Sequence, residues 1–204
     1  MVNLNWTHIR ARIKVAALAL PQFAKNPVQG MRNLPDWEWP EMLALQGAFA
    51  ASCAALANLV ERNFLGVITG LIIAPLANYM VIAIGAGFFY YVFLFFFQRE
   101  IPYLKIYQHV LFASLPIMLV VIVGSLLPPL FLVAGAAALT LMYVGFVSNF
   151  QLERKKLSRL LMTLMGIYLF WWAIQMVNFS TQKESHRMKA TPESLDILEK
   201  ELDF

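Results

Sequence analysis

One long uncharged stretch of the chain is 64–97, which contains 34 residues and no Asp, Glu, Lys, Arg or His. A helix rises about 1.5 Å per residue, so roughly 20 apolar residues cross the ~30 Å hydrocarbon core of a bilayer. The stretch is therefore long enough for one membrane crossing with residues to spare. Its length and lack of charge indicate a helix that lies in lipid.

The rest of the sequence repeats this pattern of apolar stretches between charged ones. The chain has 204 residues, of which 60% are hydrophobic and 14% charged, whereas soluble domains carry about 25% charged residues. The apolar stretches are continuous, while a β-barrel would show short segments of alternating hydrophobicity. The sequence thus predicts an all-α fold, a polytopic membrane helical bundle. Its charged residues are confined to five regions, at 8–41, 61–62, 98–105, 151–159 and 183–203.

Five transmembrane helices follow from the apolar intervals between these regions. We predict an N-terminal segment, a five-span transmembrane domain and a soluble acidic tail with a short helix, at 1–40, 41–179 and 180–204. The spans are predicted from their apolar lengths, and they lie at about 41–59, 74–95, 108–127, 130–150 and 160–179.

Pro75 interrupts the long uncharged stretch eleven residues after its start. Because proline is tolerated in the first turn of a helix, we expect a break there, with a span that begins near residue 74. The lead-in, 64–73, would then lie at the interface or enter the membrane obliquely. A re-entrant segment and one long tilted helix are the alternatives for these residues. The eight aromatic residues near the end of the stretch are expected to face lipid and the interface.

The N-terminal segment combines basic residues with prolines that rule out a long continuous helix. Its first part is predicted to be an amphipathic interfacial helix whose basic residues, Arg10, Arg12 and Lys14, meet anionic headgroups. A signal peptide is the alternative, but only six apolar residues precede Pro21 after the last basic residue, fewer than the roughly seven of the shortest signal sequences. Trp37 and Trp39 are expected at the membrane interface.

The distribution of Lys and Arg predicts the orientation of the chain. Five spans place the termini on opposite sides of the membrane. The N-terminal side would hold eleven Lys and Arg residues, in the N-terminal segment, 98–107 and 151–159, against five on the other side. Since cytoplasmic loops collect basic residues, we expect a cytoplasmic N-terminus and an extracytoplasmic C-terminus in a bacterial inner membrane.

Few residues inside the predicted spans can carry chemistry. No Asp, Glu, Lys or Arg lies in the middle of a span, which disfavours a proton-coupled pump, because intramembrane carboxylates mark proton relays. The candidate polar intramembrane residues are Asn78, Gln46 and His109. For Asn78 an interhelical hydrogen bond is favoured over a ligand site. For His109 an interfacial side chain satisfied by water is favoured over a catalytic role.

The basic cluster before the final span is a second candidate region. Arg154, Lys155 and Lys156 could contact anionic lipid or a partner, although an ordinary cytoplasmic loop gives the same pattern. The sequence has no phosphate-binding glycine loop and no HExxH pair, and Cys53 is its single cysteine. No catalytic residue, cofactor or metal is therefore predicted. Nucleic acid binding is not expected, because basic and aromatic residues do not interleave on a soluble element.

Three segments in order give the chain a resemblance to a known family. They are LPQFAKNPVQGMRNLPDWEWP before the first span, IIAPLANYMVIAIGAGFFYYVFLFFF, and IYQHVLFASLPIML with Pro116 inside it. With the basic loop before the last span, this pattern resembles the Yip family of five-span, Rab/Ypt-interacting membrane proteins, which includes bacterial members. The resemblance covers about 18–179 and implies a helical membrane protein.

The chain departs from the family's pattern at two places. It lacks the acidic DLYGP-type motif of eukaryotic members, and Phe97 and Gln98 stand where a glycine usually follows the second span. The resemblance implies action in vesicle traffic through Rab GTPases for members that have the motif. That role is not carried over to this chain, and the family implies no catalytic residue.

These observations favour a non-enzymatic integral membrane protein that organises, scaffolds or assists other proteins in the bilayer. Its partner would be another membrane protein or a second copy of the chain. A small oligomeric transporter or channel, with Asn78 and Gln46 lining a route, is the alternative. An intramembrane enzyme acting on lipids through His109 or Ser114 is a third hypothesis, and no base–nucleophile pair is visible in the sequence to support it.

Overall fold

A computed structural model describes residues 20–21, 23–124 and 126–186, with side chains through 176. All regular structure within these residues is helical. The basic N-terminal residues Arg10, Arg12 and Lys14 and the predicted helix of the acidic tail lie outside the described residues. The helices are α1 (Pro27–Arg32), α2 (Trp39–Val60), α3 (Phe64–Phe96), α4 (Tyr103–Gly124), α5 (Leu130–Phe150) and α6 (Arg154–His186).

Five of these helices, α2 to α6, are long and apolar enough to cross a membrane. This confirms the predicted all-α polytopic membrane fold. Some ends differ from the prediction: α4 begins at Tyr103 and not near 108, and α6 begins at Arg154 and not near 160. Both differences have one cause, because a helix continues past the apolar core of its span into the polar interface.

The chain divides into two compact units, Met1–Gly166 and Ile167–Phe204. The first unit holds α1 to α5 and the first part of α6. In the second unit the described residues continue α6, and their apolar side chains, such as Phe170 and Trp171, are exposed. An apolar helical surface of this kind is typical of residues that face lipid.

Helices α2 and α3 form a closely packed hairpin. The Asn63 side chain accepts a hydrogen bond from the Gly66 backbone N–H at 2.9 Å and caps the start of α3. Gly66 faces the Asn58 side chain, and Gly70 faces Asn58 and Ala54. The missing side chains of these glycines let the helices approach, as small residues do in membrane helix pairs.

The structure corrects the expected break at Pro75. Helix α3 is continuous over 33 residues with Pro75 inside it, which makes it about 50 Å long. The lead-in, 64–73, is part of this helix and packs against the second half of α2, where Gly70 faces Ala54. Membrane helices tolerate an internal proline. One turn after Pro75, α3 is tied to α2, because the Tyr79 hydroxyl donates to the Leu43 carbonyl of α2 at 2.6 Å.

The aromatic end of α3 has two faces, whereas the sequence predicted exposure for all of it. Phe89 and Phe93 are buried, while Phe95 and Phe96 are exposed. The buried rings pack on α5, where the centroid of Phe93 lies 4.9 Å from that of Phe146 in an edge-on arrangement. Such aromatic pairs stabilise packing by about 0.5–1.5 kcal/mol beyond their buried area.

Helix α4 is the centre of the fold. Every residue from Ile106 to Ala113 is buried, so this part of the helix has no lipid-facing side. It contacts α1, α2, α3 and α5. A helix that is buried all round is the core of its bundle.

The N-terminal segment closes one end of this bundle. Met31 of α1 is fully buried, and the Trp37 ring lies 5.2 Å from the ring of Phe112 in α4. Trp37, predicted at the interface, is therefore a core residue, while Trp39 keeps 40% of its surface exposed. The difference arises because the prolines of the segment turn it back onto the helices.

Gln98 replaces the missing glycine after α3 in a strained conformation. Its φ is 52°, in the left-handed region that glycine adopts without steric cost and other residues enter at about 1–2 kcal/mol. Gln98 is exposed, so its side chain compensates little for this cost. The turn that follows α3 therefore holds a residue other than glycine in the left-handed backbone conformation.

We expect Gln98→Gly to stabilise the protein by about 0.5–1 kcal/mol, because the relief of the left-handed strain exceeds the added flexibility of the unfolded chain. Gln98→Ala keeps the Cβ and serves as the control, with no gain expected. The measurement is the free energy of unfolding in mixed micelles. Equal effects of the two substitutions would contradict the strain at this position.

Candidate functional site

Two of the predicted polar residues, Gln46 and Asn78, meet between α2 and α3. The Gln46 Nε2 donates to the Asn78 Oδ1 at 2.7 Å. The Gln46 Oε1 in turn accepts from the Tyr107 hydroxyl of α4 at 2.6 Å. Gln46 is fully buried. This directional chain, from Tyr107 through Gln46 to Asn78, ties three helices together, as polar side chains do in membrane proteins.

His109 takes part in a second cluster, between α4, α5 and α1. Its Nδ1 lies 2.7 Å from the Lys105 carbonyl oxygen one turn earlier, and its Nε2 lies 2.8 Å from the Asn149 Nδ2. The Asn149 amide also donates to the Met31 carbonyl at 2.8 Å. A proton on Nδ1 satisfies the whole set, because Nε2 then accepts from Asn149.

The space around His109 is closely filled. A Cβ added at Gly145 of α5 would lie 2.8 Å from the His109 Cδ2 and 2.6 Å from the Met31 Cε. The imidazole ring also lies 4.5 Å, centroid to centroid, from the ring of Phe150. His109 is thus a buried core residue, not the water-satisfied interfacial side chain that the sequence predicted.

Gln108 lies between these clusters and holds the N-terminal segment. Its Nε2 donates to the Pro35 carbonyl at 2.5 Å, and the neighbouring Lys105 forms an ion pair with Asp36. The Gln108 Oε1 is buried and has no hydrogen-bond partner among the described residues.

Three consecutive residues of α4 therefore bind three different neighbours. Tyr107, Gln108 and His109 are successive helix positions, so their side chains spread over about 200° of the helix circumference. We call these three residues, with their partners Gln46, Asn78 and Asn149, the polar layer. Its hydrogen bonds fix the positions of α2, α3, α5 and the N-terminal segment around α4.

Sequence reasoning found half of the polar layer. Gln46, Asn78 and His109 stand out because they are polar residues inside or beside apolar spans. Tyr107, Gln108 and Asn149 were missed because each lies near the end of an apolar stretch, where polar side chains usually meet water. The available signal was the run of three polar residues at 107–109 next to a fully apolar sequence.

The basic cluster lies elsewhere, at the start of α6. Arg154, Lys155 and Lys156 are exposed. The Lys156 Nζ lies 2.7 Å from a carboxylate oxygen of Glu153, in an exposed pair three residues apart. Exposed pairs of this type contribute about 0–1 kcal/mol, so the cluster remains available to ligands.

The arrangement around Ser114 gives no catalytic pair in the described part of the chain. The Ser114 hydroxyl donates to the Leu111 carbonyl at 2.7 Å, and the His109 nitrogens face Lys105 and Asn149. Within the described residues, no group of three His, Cys, Asp or Glu side chains could hold a metal ion.

An apolar cavity of about 460 Å³ lies beside the N-terminal segment. It is bounded by that segment, α2 and α4. Nothing in its lining can orient a polar ligand, because specific sites combine apolar walls with a few placed polar groups. The lining residues are Leu20, Pro21, Phe23, Ala24, Pro27, Phe49, Leu115, Pro116 and Leu119.

Comparison with known proteins gives one result. The family model described as the Yip1 domain matches residues 22–175, which is more than half of the chain. The match runs from the N-terminal segment into α6 and includes the whole polar layer. No curated protein and no solved structure matches the chain.

We expect Gln46→Leu and Asn78→Leu to be coupled when combined. A double-mutant cycle on the free energy of unfolding should give a coupling of about 0.6–1.7 kcal/mol, the range for interhelical hydrogen bonds in membranes. Thr69→Val is the control, because the Thr69 hydroxyl bonds carbonyls of its own helix. Coupling of Gln46→Leu to Thr69→Val as large as to Asn78→Leu would contradict the assignment.

Proposed function

The chain belongs to the Yip1-domain family, and from this premise we propose that it is a non-enzymatic membrane protein that organises or assists partners in the bilayer. It is an integral membrane protein with five spans. The partner is another membrane protein or a second copy of the chain. This role needs a rigid interior and an outer surface that other helices can contact.

The observation that carries the proposal is that the side chains of the polar layer hydrogen-bond to other groups of the same chain. The residues that could have lined a transport route, Gln46 and Asn78, are hydrogen-bonded to each other. His109, the candidate catalytic residue, is held by Lys105 and Asn149. Polar side chains used in this way stabilise helix packing, which supports a structural interior over an aqueous path or a reaction centre.

The outer surface of α3 supports contact with partners. Only 6% of the residues in its most apolar 18-residue segment are buried within the chain. Exposed residues run along the helix from Phe64 to Phe96, and they include Ile72 and Phe95. A long apolar surface in a membrane can receive lipid or another helix, and contact with a helix depends on close packing.

A photoreactive phenylalanine analogue can test for a partner on this surface. Placed at Phe95, which is 70% exposed, it should crosslink to a protein in native membranes, while the same analogue at Phe93, which is 0% exposed, should not. The mass of the adduct separates a second copy from another protein. Adducts with lipid alone at Phe95 and also at Phe64 would contradict the proposal.

Transport is the alternative to the organising role. Protein reconstituted in vesicles should give no flux above empty vesicles for ions or small solutes. A flux that Asn78→Leu abolishes, and that Thr69→Val leaves intact, would overturn the organising role in favour of a small oligomeric transporter or channel.

For orientation we propose a cytoplasmic N-terminus, in a bacterial inner membrane. The excess of basic residues on the N-terminal side supports this orientation. The contacts agree with the charge count, because the Lys105–Asp36 pair and the Asn149–Met31 bond bring three predicted cytoplasmic regions to one end of the bundle.

Two exposed glutamates, Glu61 and Glu100, lie in the connections at opposite ends of α3 and provide a matched test of orientation. In a Cys53→Ala background, a membrane-impermeant maleimide should label Glu61→Cys in intact cells. Glu100→Cys should be labelled only after the membrane is opened. The reverse pattern would contradict the cytoplasmic N-terminus.

A further inference from the structure

A groove of about 280 Å³ separates the end of α3 from the start of α6. One wall is apolar and aromatic, and the other carries two cations. It lies at the end of the bundle where α3 emerges from its span. The lining residues are Val92, Phe96, Phe97, Lys156, Arg159 and Leu160.

Each helix contributes one face to this groove. Val92 and Phe96 are four residues apart on α3, while Lys156, Arg159 and Leu160 are three and four residues apart on α6. These spacings place side chains on one side of a helix. The residue next to Lys156, Leu157, is fully buried and turns toward the core instead. The groove is therefore a defined surface of two neighbouring helix faces.

The charge of the groove depends on Arg159. Lys156 is paired with Glu153 at 2.7 Å. Within the described part of the chain, no carboxylate forms an ion pair with Arg159. A guanidinium group presents several N–H donors in a planar fork that matches phosphate oxygens. The Arg159 guanidinium is thus available to bind a phosphate at the edge of an apolar groove.

We propose that this groove binds one anionic phospholipid. The Arg159 guanidinium, assisted by Lys156, contacts the headgroup phosphate, and an acyl chain lies along Phe96 and Leu160. The pairing of cations with apolar walls favours a lipid over a free anion, which would leave those walls uncovered. Phe96 is 77% exposed, as expected for a ring that lipid covers at the membrane interface.

A second groove beside α6 supports a lipid between helices. On its other side, α6 is separated from α5 by a second groove of about 300 Å³, lined among others by Leu139 and Met162. Gaps on both sides of a membrane helix are filled by lipid chains, since an empty gap loses its dispersion contacts. A bound lipid would hold α6 against the rest of the bundle. Lipid binding in this groove does not depend on the proposed role in organising partner proteins, so either of these two proposals can fail while the other holds.

Native mass spectrometry of the full chain in detergent tests this site. With phosphatidylglycerol as the probe, we expect one tightly held lipid, and phosphatidylcholine should be held much more weakly. Loss of charge-assisted hydrogen bonds in Lys156→Gln/Arg159→Gln should weaken phosphatidylglycerol binding about tenfold or more. Arg159→Lys keeps the positive charge but loses the planar fork of N–H donors. Its affinity for phosphatidylglycerol should therefore lie between that of the unmodified protein and that of the double variant.

The matched control is Arg154→Gln/Lys155→Gln. It removes the same amount of charge from the first turn of α6, but neither residue lines the groove. We expect it to keep nearly full binding. Equal losses in the two double variants would show general attraction to basic residues and would overturn the site, as would equal binding of the two lipids.

Two further results would also overturn the proposal. Displacement of the lipid by inorganic phosphate at the same concentration would show an anion site without a lipid component. A dimer that excludes phosphatidylglycerol from the groove would show that a second copy covers it. Circular dichroism of each variant confirms that a lost lipid does not reflect a lost fold.

Discussion

The burial of α4 within the helix bundle is the constraint on which the rest of the structure depends. From Ile106 to Ala113 no side of the helix is exposed, and a polar group buried without a hydrogen-bond partner costs free energy. The polar side chains of this segment must therefore find partners on neighbouring elements. Tyr107, Gln108 and His109 do so in three directions, and in this way they hold α2, the N-terminal segment and α5.

The length of α3 follows from the positions of its neighbours. Its first part pairs with α2 through Gly66 and Gly70, and its last part packs aromatic rings on α5. These partners lie at different depths, so one helix of ordinary length could not reach both. The continuous helix through Pro75 connects them, and the turn at Gln98, after the end of α3, leads the chain toward α4.

Part of the candidate site could be predicted and part could not. Gln46 and Asn78 were identifiable because a polar residue inside an apolar span needs a partner there. That they bond each other depends on how α2 and α3 align, which hydropathy does not specify. Trp37 shows the same limit, since its position before a span predicts an interfacial ring, and only the return of the N-terminal segment onto α4 buries it.

The sequence by itself determined the helical class, the number of spans and the sparse chemistry of their interior, because apolar length and the cost of buried charge are local properties of the chain. The tertiary structure decided that Pro75 lies within one helix, that α4 is central, and that Arg159 faces Phe96 across a groove. These features depend on contacts between residues far apart in the chain. Their alignment is set by packing, which no local pattern encodes.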